Sequence, residues 1–211
     1  MKAAEHAYNT LRASIIDGTY APGSRVTEQE VSAAAGVSRT PVREALQRLE
    51  AEGLLSFAAH QGAVVSNWSH RDADDIFELR AMLEGYAARL AAKRASQNDI
   101  EALRQLATEQ SLEAKNRSKG YIERIADLNS RFHQRLQLAA ASSKLQTLLG
   151  SLSSAPLVFQ TFRDYATEDL SRSARHHMEL VDAIESGDED WACAVMNAHV
   201  MAARQVFNAR H

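Results

Sequence analysis

Residues 36–55 read GVSRTPVREALQRLEAEGLL, a glycine turn followed by a basic and amphipathic helical segment. Arg39 and Arg43 are four residues apart and share one helix face in the first two turns, where the positive end of the helix dipole disfavours cations. The apolar residues of the opposite face are Val42, Leu46 and Leu49. The segment therefore predicts a helix that packs by one face and presents two arginines to an external anion.

The flanking segments complete a winged helix-turn-helix. Residues 5–17 have apolar residues at helical spacing, and residues 18–26 form a loop with a turn at Pro22-Gly23. Thr27 and Glu30 form a capping box that starts the next helix, and Ser38 caps the arginine-bearing helix. Two short apolar segments, 54–60 and 63–68, predict a small hairpin. The order is thus helix, helix, turn, helix and wing over residues 1–67.

The rest of the chain, residues 68–211, is helical by pattern, so the fold class is mostly α: an N-terminal winged helix-turn-helix plus a C-terminal all-helical bundle. The predicted helices cover about 70–95, 98–117, 121–141, 143–163, 167–186 and 188–209, with breaks at Gly120, Gly150 and Gly187. The first of these helices has a stripe of hydrophobic residues that we expect to face the core, namely Ile76, Leu79, Leu83, Tyr86 and Leu90.

Composition restricts the function classes. The net charge is −3, and residues 1–67 carry six basic against seven acidic side chains, so nucleic-acid binding has to come from local placement of charge. Cys193 is the single cysteine, which excludes an internal disulfide and favours a reducing cytoplasm. No apolar run reaches the roughly 18 residues of a membrane helix. We expect a cytoplasmic protein without a membrane segment.

The two arginines point to DNA as the anion. The second helix of a helix-turn-helix lies in the major groove, where arginine pairs with guanine or clamps phosphate. The alternative is a solvated basic edge in which the arginines pair with Glu44 or Glu50.

Three histidines of the C-terminal region occupy related positions. His133 follows Asn129 by four residues, and His177 and His199 lie at similar distances on either side of the SGDED turn at 186–190. If that turn joins antiparallel helices, the two histidines are level, whereas His176 points about 100° away. Three imidazoles and an amide oxygen suit Zn²⁺ or another first-row metal. The alternative is that each histidine is an ordinary hydrogen-bonded core or surface residue.

The segment VSRTPVREALQRLEAEGLL, with LRASIIDGTYAPGSRVTEQEVSAAAGVS before it, resembles the DNA-binding signature of the GntR family of bacterial transcription regulators over residues 8–66. The resemblance implies a wing tip at His60-Gln61-Gly62 that enters the minor groove, without the basic pair usual there. The DNA-binding residues it implies are Gln29, Ser38, Arg39, Thr40, Arg43, His60 and Gly62.

The segments LNSRFHQRL and HMELVDAIESGDEDWACAVMNAHV resemble the all-helical FCD effector domain of the FadR-like branch of that family, over residues 70–209. The resemblance implies a divalent metal, zinc first with nickel or manganese as alternatives. Its ligands would be Asn129, His133, His177 and His199, with Asn in place of the usual Asp. Arg80 is expected to meet a carboxylate effector, unless it pairs with Glu84, and Arg163 is a weaker candidate.

Together these features predict a transcription regulator, more often a repressor, that is controlled by a small organic acid at a metal-containing pocket. The partners expected are double-stranded DNA with a short palindromic operator, the carboxylate effector and a second copy of the chain in a homodimer. The alternatives are a metal-dependent hydrolase or lyase that uses the three histidines, and a sensor whose effector is the metal itself. No catalytic residue is assigned.

Overall fold

The computed structural model describes residues 2–16, 18–58, 62–66, 70–152 and 155–210. The chain divides into two compact units, residues 1–69 with 153–157 and residues 70–152 with 158–211. Each unit is described by itself below.

The first unit is a three-helix domain with a small sheet. Its elements are α1 (Lys2–Ile16), β1 (Arg25–Val26), α2 (Glu28–Ala35), α3 (Arg39–Ala51), β2 (Leu55–Ala58) and β3 (Gly62–Val65). Its core joins α1 to α3 through Leu11 and Leu49, which are fully buried, and the predicted apolar face of α3 is buried as well. The amphipathic pattern of residues 36–55 therefore predicts the packing of α3 correctly.

The starts of α2 and α3 differ in how they are capped. The Thr27 hydroxyl accepts a hydrogen bond from the Glu30 backbone N–H at 3.2 Å, and the Glu30 carboxylate accepts from the Thr27 N–H at 2.9 Å. This confirms the predicted capping box. Ser38 occupies the N-cap position of α3, but its side chain makes no capping hydrogen bond.

The sheet contains one strand that the sequence did not predict. β3 pairs antiparallel with β2, as the hairpin prediction requires, and also with the two-residue β1 in the segment expected to be a loop. Gly62 opens β3 with φ of 77°, a conformation that favours glycine. The other two residues of the predicted wing tip, His60 and Gln61, lie outside the described residues.

The second unit is an all-helical bundle. Its elements are α4 (His70–Arg94), α5 (Gln97–Asn116), α6 (Tyr121–Ala139), α7 (Ser143–Ser151), the part of α8 (Ala155–Asp164) from residue 158 onward, α9 (Thr167–Ser186) and α10 (Glu189–Arg210). The single helix expected over 143–163 is thus two helices, and α7 ends one residue after the break predicted at Gly150. The other predicted helices match within a few residues. Among the described residues, no helix combines the length and apolar character needed to cross a bilayer.

The stripe predicted as the core face of α4 is only partly buried. Ile76 and Leu90 are buried, whereas Leu79 and Tyr86 are exposed. The buried side of α4 instead includes Phe77 and a run of alanines, which pack closely against neighbouring helices. The prediction for Leu79 and Tyr86 was wrong because helical spacing identifies residues that share a face, but not which face meets the core.

Candidate functional site

Three histidines converge in the middle of the second unit. His133 comes from α6, His177 from α9 and His199 from α10, and one nitrogen from each ring lies within 4.8 Å of the others. All three side chains are buried. The turn at Gly187 reverses the chain between α9 and α10, so His177 and His199 lie with ring centroids 4.6 Å apart. The expected level placement of these two residues is therefore present.

Stacking against an aromatic side chain restricts the orientation of the His177 ring. The Phe132 ring stacks on it with a centroid distance of 4.0 Å and an interplanar angle of 10°. His133 follows Phe132 on α6 and meets His177 edge to face at 5.3 Å. The rings are thus held by packing as well as by their backbone positions.

Several buried polar atoms of this cluster have no hydrogen-bond partner within the part of the chain that is described. They are Asn129 Oδ1, His177 Nε2 and His199 Nδ1. Asn129 precedes His133 by one helical turn and is itself buried. An unpartnered buried acceptor costs free energy, and such groups are rare in native proteins. These atoms are also the kinds of donors that bind zinc and nickel, so the residues fit a metal ion.

The electrostatics of the cluster suit a cation. Burial and the neighbouring imidazoles lower the pKa of His177 and of His199 well below the usual value. Both rings are therefore neutral near pH 7. A neutral imidazole has a lone pair available for a metal, so these two rings are in the protonation state that coordination requires.

Two polar residues that the sequence did not assign to the site hold the outer nitrogens of the histidines. Glu84 Oε2 is hydrogen-bonded to His133 Nδ1, and Gln110 Oε1 is hydrogen-bonded to His177 Nδ1. Glu84 on α4 and Gln110 on α5 are both buried. No spacing pattern connects either residue to the histidines, which explains why sequence reasoning missed them.

Arg80 makes the ion pair with Glu84 that was considered as the alternative to an effector contact. Its Nε donates to Glu84 Oε1 at 2.6 Å, with both side chains buried, which is the expected i to i+4 ion pair. Arg80 also lines a cavity of about 10 Å³, enough for one water molecule, next to Asn129 and His199. Phe77, Thr161, Phe162, Tyr165, Val200 and Ala203 complete the lining.

His176 lies at the edge of the cluster. It is half-buried, and its ring meets that of His199 at a centroid distance of 5.9 Å. Its nitrogens are not among the converging atoms of the three other histidines. This agrees with the expectation that His176 is not equivalent to His177.

In the first unit, the predicted DNA-contacting residues are on the surface. The side chains exposed there include Gln29, Ser38, Arg39, Thr40 and Arg43, and Gly62 is also exposed. Arg43 Nε donates to Glu28 Oε1 at 2.7 Å, so its acidic partner comes from α2 and is neither Glu44 nor Glu50. Arg39 and Arg43 are thus both exposed on α3, and Arg43 is held by an ion pair to the neighbouring helix.

Each of the two units matches a known protein family. Residues 3–65 match the family described as bacterial regulatory proteins, gntR family, and residues 75–202 match the FCD domain. This chain belongs to the GntR family. It is a DNA-binding transcription regulator with an FCD domain, and the resemblance noted from the two signature segments is confirmed. Membership in a family of regulators excludes the hydrolase or lyase alternative.

Individual relatives agree with this assignment. The Nta operon transcriptional regulator of Aminobacter aminovorans is 34% identical over 181 residues, which cover 86% of this chain and 83% of that protein. A probable D-xylose utilization operon transcriptional repressor of Paenarthrobacter nicotinovorans is 33% identical over 192 residues, 89% and 81% of the two chains. The solved structure of E. coli McbR/YncC has the same fold, with a TM-score of 0.80, 22% identity and coverage of 100% and 99%.

Proposed function

We propose that this GntR regulator represses transcription in the cytoplasm until a small carboxylate binds at a metal site in its FCD unit. The observation that carries the proposal is the convergence of His133, His177 and His199. Ring nitrogens of His177 and His199 are buried there without a hydrogen-bond partner in the described structure, as is the nearby side-chain oxygen of Asn129. Repression is favoured because one relative, that of Paenarthrobacter nicotinovorans, is named as a probable repressor.

Zinc is the ion we favour for this site, with nickel or manganese as alternatives. The three imidazoles and Asn129 would hold it, and the absence of an acidic ligand leaves its charge uncompensated by the protein. When bound, the metal would supply open coordination positions for an anionic ligand. An organic carboxylate is the effector class that such a cation and Arg80 would attract together.

The size of the cavity limits how the effector enters. The free volume near Arg80 and His199 is only about 10 Å³, so a carboxylic acid has to displace side chains of the lining. Phe162 on α8 and Tyr165, which follows that helix, are bulky side chains that line it. A required movement of this kind is one way in which effector binding could favour one conformation of the regulator over another.

For DNA, we propose that α3 enters the major groove with Arg39 and Arg43 at the base edges or phosphates, and that Ser38, Thr40 and Gln29 contact the backbone. Gly62 and His60 would belong to the wing that approaches the minor groove. The exposure of the basic face of α3 supports this arrangement. The operator would be a short palindrome read by a homodimer.

The exposed side of α4 offers a surface for that homodimer. Leu79, Met82 and Tyr86 form an apolar stripe with exposures of 41%, 63% and 50%. Asp75 lies seven residues before Met82 and Arg89 seven residues after it. If two copies of α4 pack antiparallel about a two-fold axis at Met82, the apolar stripe meets itself, and each Asp75 lies opposite the Arg89 of the second copy, which also pairs with Asp190 of its own chain.

Metal content is the decisive measurement for the FCD site. Wild type, His177→Ala and the neighbouring control His176→Ala are purified and assayed by elemental mass spectrometry at known protein concentration. We expect about one metal per chain in wild type and His176→Ala and a loss in His177→Ala. No metal in wild type, even after incubation with zinc and desalting, would contradict the site.

Operator binding tests the DNA-reading helix. With an operator obtained by selection from random DNA, we expect Arg43→Ala to abolish binding at fixed salt while the dimer persists. Arg48→Ala removes the same charge from the same helix, but Arg48 lies over the Tyr8 ring at 3.7 Å and pairs with Glu5, so binding should persist. Zinc-dependent operator binding that no organic acid alters would favour the pure metal sensor instead.

A further inference from the structure

The outer nitrogens of two of the three clustered histidines are engaged by buried oxygens. Glu84 binds the Nδ1 of His133, and Gln110 binds the Nδ1 of His177. The acceptors come from α4 and α5, which contribute none of the three clustered histidines. The site therefore has a second layer that is built by different helices.

These contacts decide where each ring carries its proton. Glu84 places one oxygen 2.6 Å from the Arg80 Nε and the other against His133 Nδ1, and a carboxylate that is paired with a guanidinium accepts hydrogen bonds. In the form of His133 that can bind a metal, the proton therefore lies on Nδ1, facing Glu84, and the lone pair lies on Nε2. Gln110 Oε1 is likewise an acceptor, so the proton of His177 is also on Nδ1 and its Nε2 is free.

The tautomer of His199 follows from that of His133. His133 Nε2 lies 3.2 Å from His199 Nε2, and a hydrogen bond between them needs one donor. Because His133 Nε2 carries a lone pair, His199 is the donor and its proton is on Nε2. This leaves the lone pair of His199 on Nδ1, the atom that has no partner among the described residues.

Arg80 keeps this layer electrically balanced. Its Nε donates to the second oxygen of Glu84 at 2.6 Å, so the carboxylate has one oxygen on the guanidinium and one on the imidazole. A buried carboxylate without a countercharge is costly. The ion pair adds no net charge to the site, and it orients Glu84 toward His133.

We propose that Glu84 and Gln110 are positioning residues of the metal site, which fix His133 and His177 as Nδ1–H tautomers so that both Nε2 lone pairs face the ion, and that Arg80 serves this layer by holding Glu84. The proposal rests on the metal site of the proposed function. Glu84 has the larger effect, because a carboxylate acceptor raises the basicity of an imidazole more than an amide does.

The tautomers are measured directly in the metal-free protein. Long-range ¹H–¹⁵N correlation spectra of ¹⁵N-histidine-labelled protein in chelator distinguish Nδ1–H from Nε2–H rings. We expect Nδ1–H for His133 and His177 in wild type and Nε2–H for His199. Gln110→Leu should release His177 into a mixture of tautomers, while Gln110→Glu, which keeps an acceptor, should preserve the wild-type state.

Glu84 needs a paired substitution, because removing it alone leaves Arg80 buried without its partner. Arg80→Leu with Glu84→Leu exchanges the ion pair for apolar groups and should release His133 in the same way. Gln105→Leu on α5 is the control, since Gln105 is exposed and bonds only to Glu109 in the described structure. Circular dichroism and thermal melts identify variants that have lost the fold.

Zinc affinity by competition with a chromophoric chelator completes the test. We expect a loss of about 10- to 100-fold for Gln110→Leu and for the double variant, and no loss of affinity for Gln110→Glu and Gln105→Leu. Unchanged tautomers and affinities in both variants would overturn the inference and leave the metal site intact. Failure of wild type to bind zinc would overturn the proposed function, and the metal-free spectra would still decide whether Glu84 and Gln110 set the tautomers.

Discussion

Arg43, which the sequence assigns to DNA, is paired with Glu28 at 2.7 Å in the free protein. Glu28 lies in the first turn of α2, where the helix dipole favours an anion. The hydrogen bond to Arg43 lowers the pKa of Glu28, so the pair is charged at neutral pH. If Arg43 contacts DNA as proposed, DNA has to compete with a carboxylate of the same chain for this arginine.

We expect Glu28→Gln to tighten binding to random-sequence DNA by about two- to five-fold, because exposed ion pairs are weak and the competitor is lost. The ratio of the affinity for the operator to the affinity for random-sequence DNA should fall. Fluorescence anisotropy at several salt concentrations measures both. Glu50→Gln on α3 is the charge-matched control, and an equal gain in that variant would show that net charge rather than the specific pair is responsible.

Ala141 has a positive φ of 48°, although it is not glycine. Its neighbour Ala140 has an ordinary φ of −63°. Ala141→Gly should raise the free energy of unfolding by about 0.5–1 kcal/mol, because relief of strain exceeds the entropy that glycine adds to the unfolded chain. Ala140→Gly should lower it by about 1 kcal/mol. Urea denaturation compares the two, and effects of the same sign would contradict the backbone argument.

Tyr165 lines the cavity, and burial, reinforced by Asp169, raises its pKa well above the usual value. Above pH 10 the unfolded chain releases this proton while the folded chain keeps it, so stability falls as the pH rises. Tyr165→Phe removes that dependence. We expect the stability of wild type to fall more steeply than that of the variant above pH 10, by up to about 1.4 kcal/mol per pH unit. Parallel curves from alkaline denaturation would rule out this ionisation as a source of instability.

The exposed stripe of α4 predicts the assembly state. Met82→Glu should convert the dimer to a monomer at micromolar concentration, because it buries a carboxylate at the two-fold axis. Leu112→Glu is the matched control, as Leu112 on α5 is 52% exposed but lies away from the stripe. Sedimentation equilibrium gives the masses. A dimeric Met82→Glu protein would place the interface elsewhere.

The sequence predicted features that depend on neighbours along the chain. The capping box of Thr27 and Glu30, the buried face of α3 and the level placement of His177 and His199 all follow from spacing within one helix or across one turn. The same holds for the ion pair of Arg80 with Glu84.

Features that depend on contacts between distant segments were not predictable in this way. β1 is a two-residue strand that exists because β3 lies beside it. The hydrogen bond of Gln110 to His177 joins residues on α5 and α9, and nothing in either segment specifies the other. The orientation of α4 is a third case, since its periodicity is compatible with more than one buried face.

The spacing of the histidines along the chain has one more consequence. His133 and His199 are 66 residues apart, and the protein has a single cysteine and no disulfide to join distant segments. An ion bound by α6, α9 and α10 would act as a reversible cross-link that closes long loops, and its binding free energy would add to the free energy of unfolding. The lifetime of the regulator against proteases would then depend on the supply of free metal in the cell.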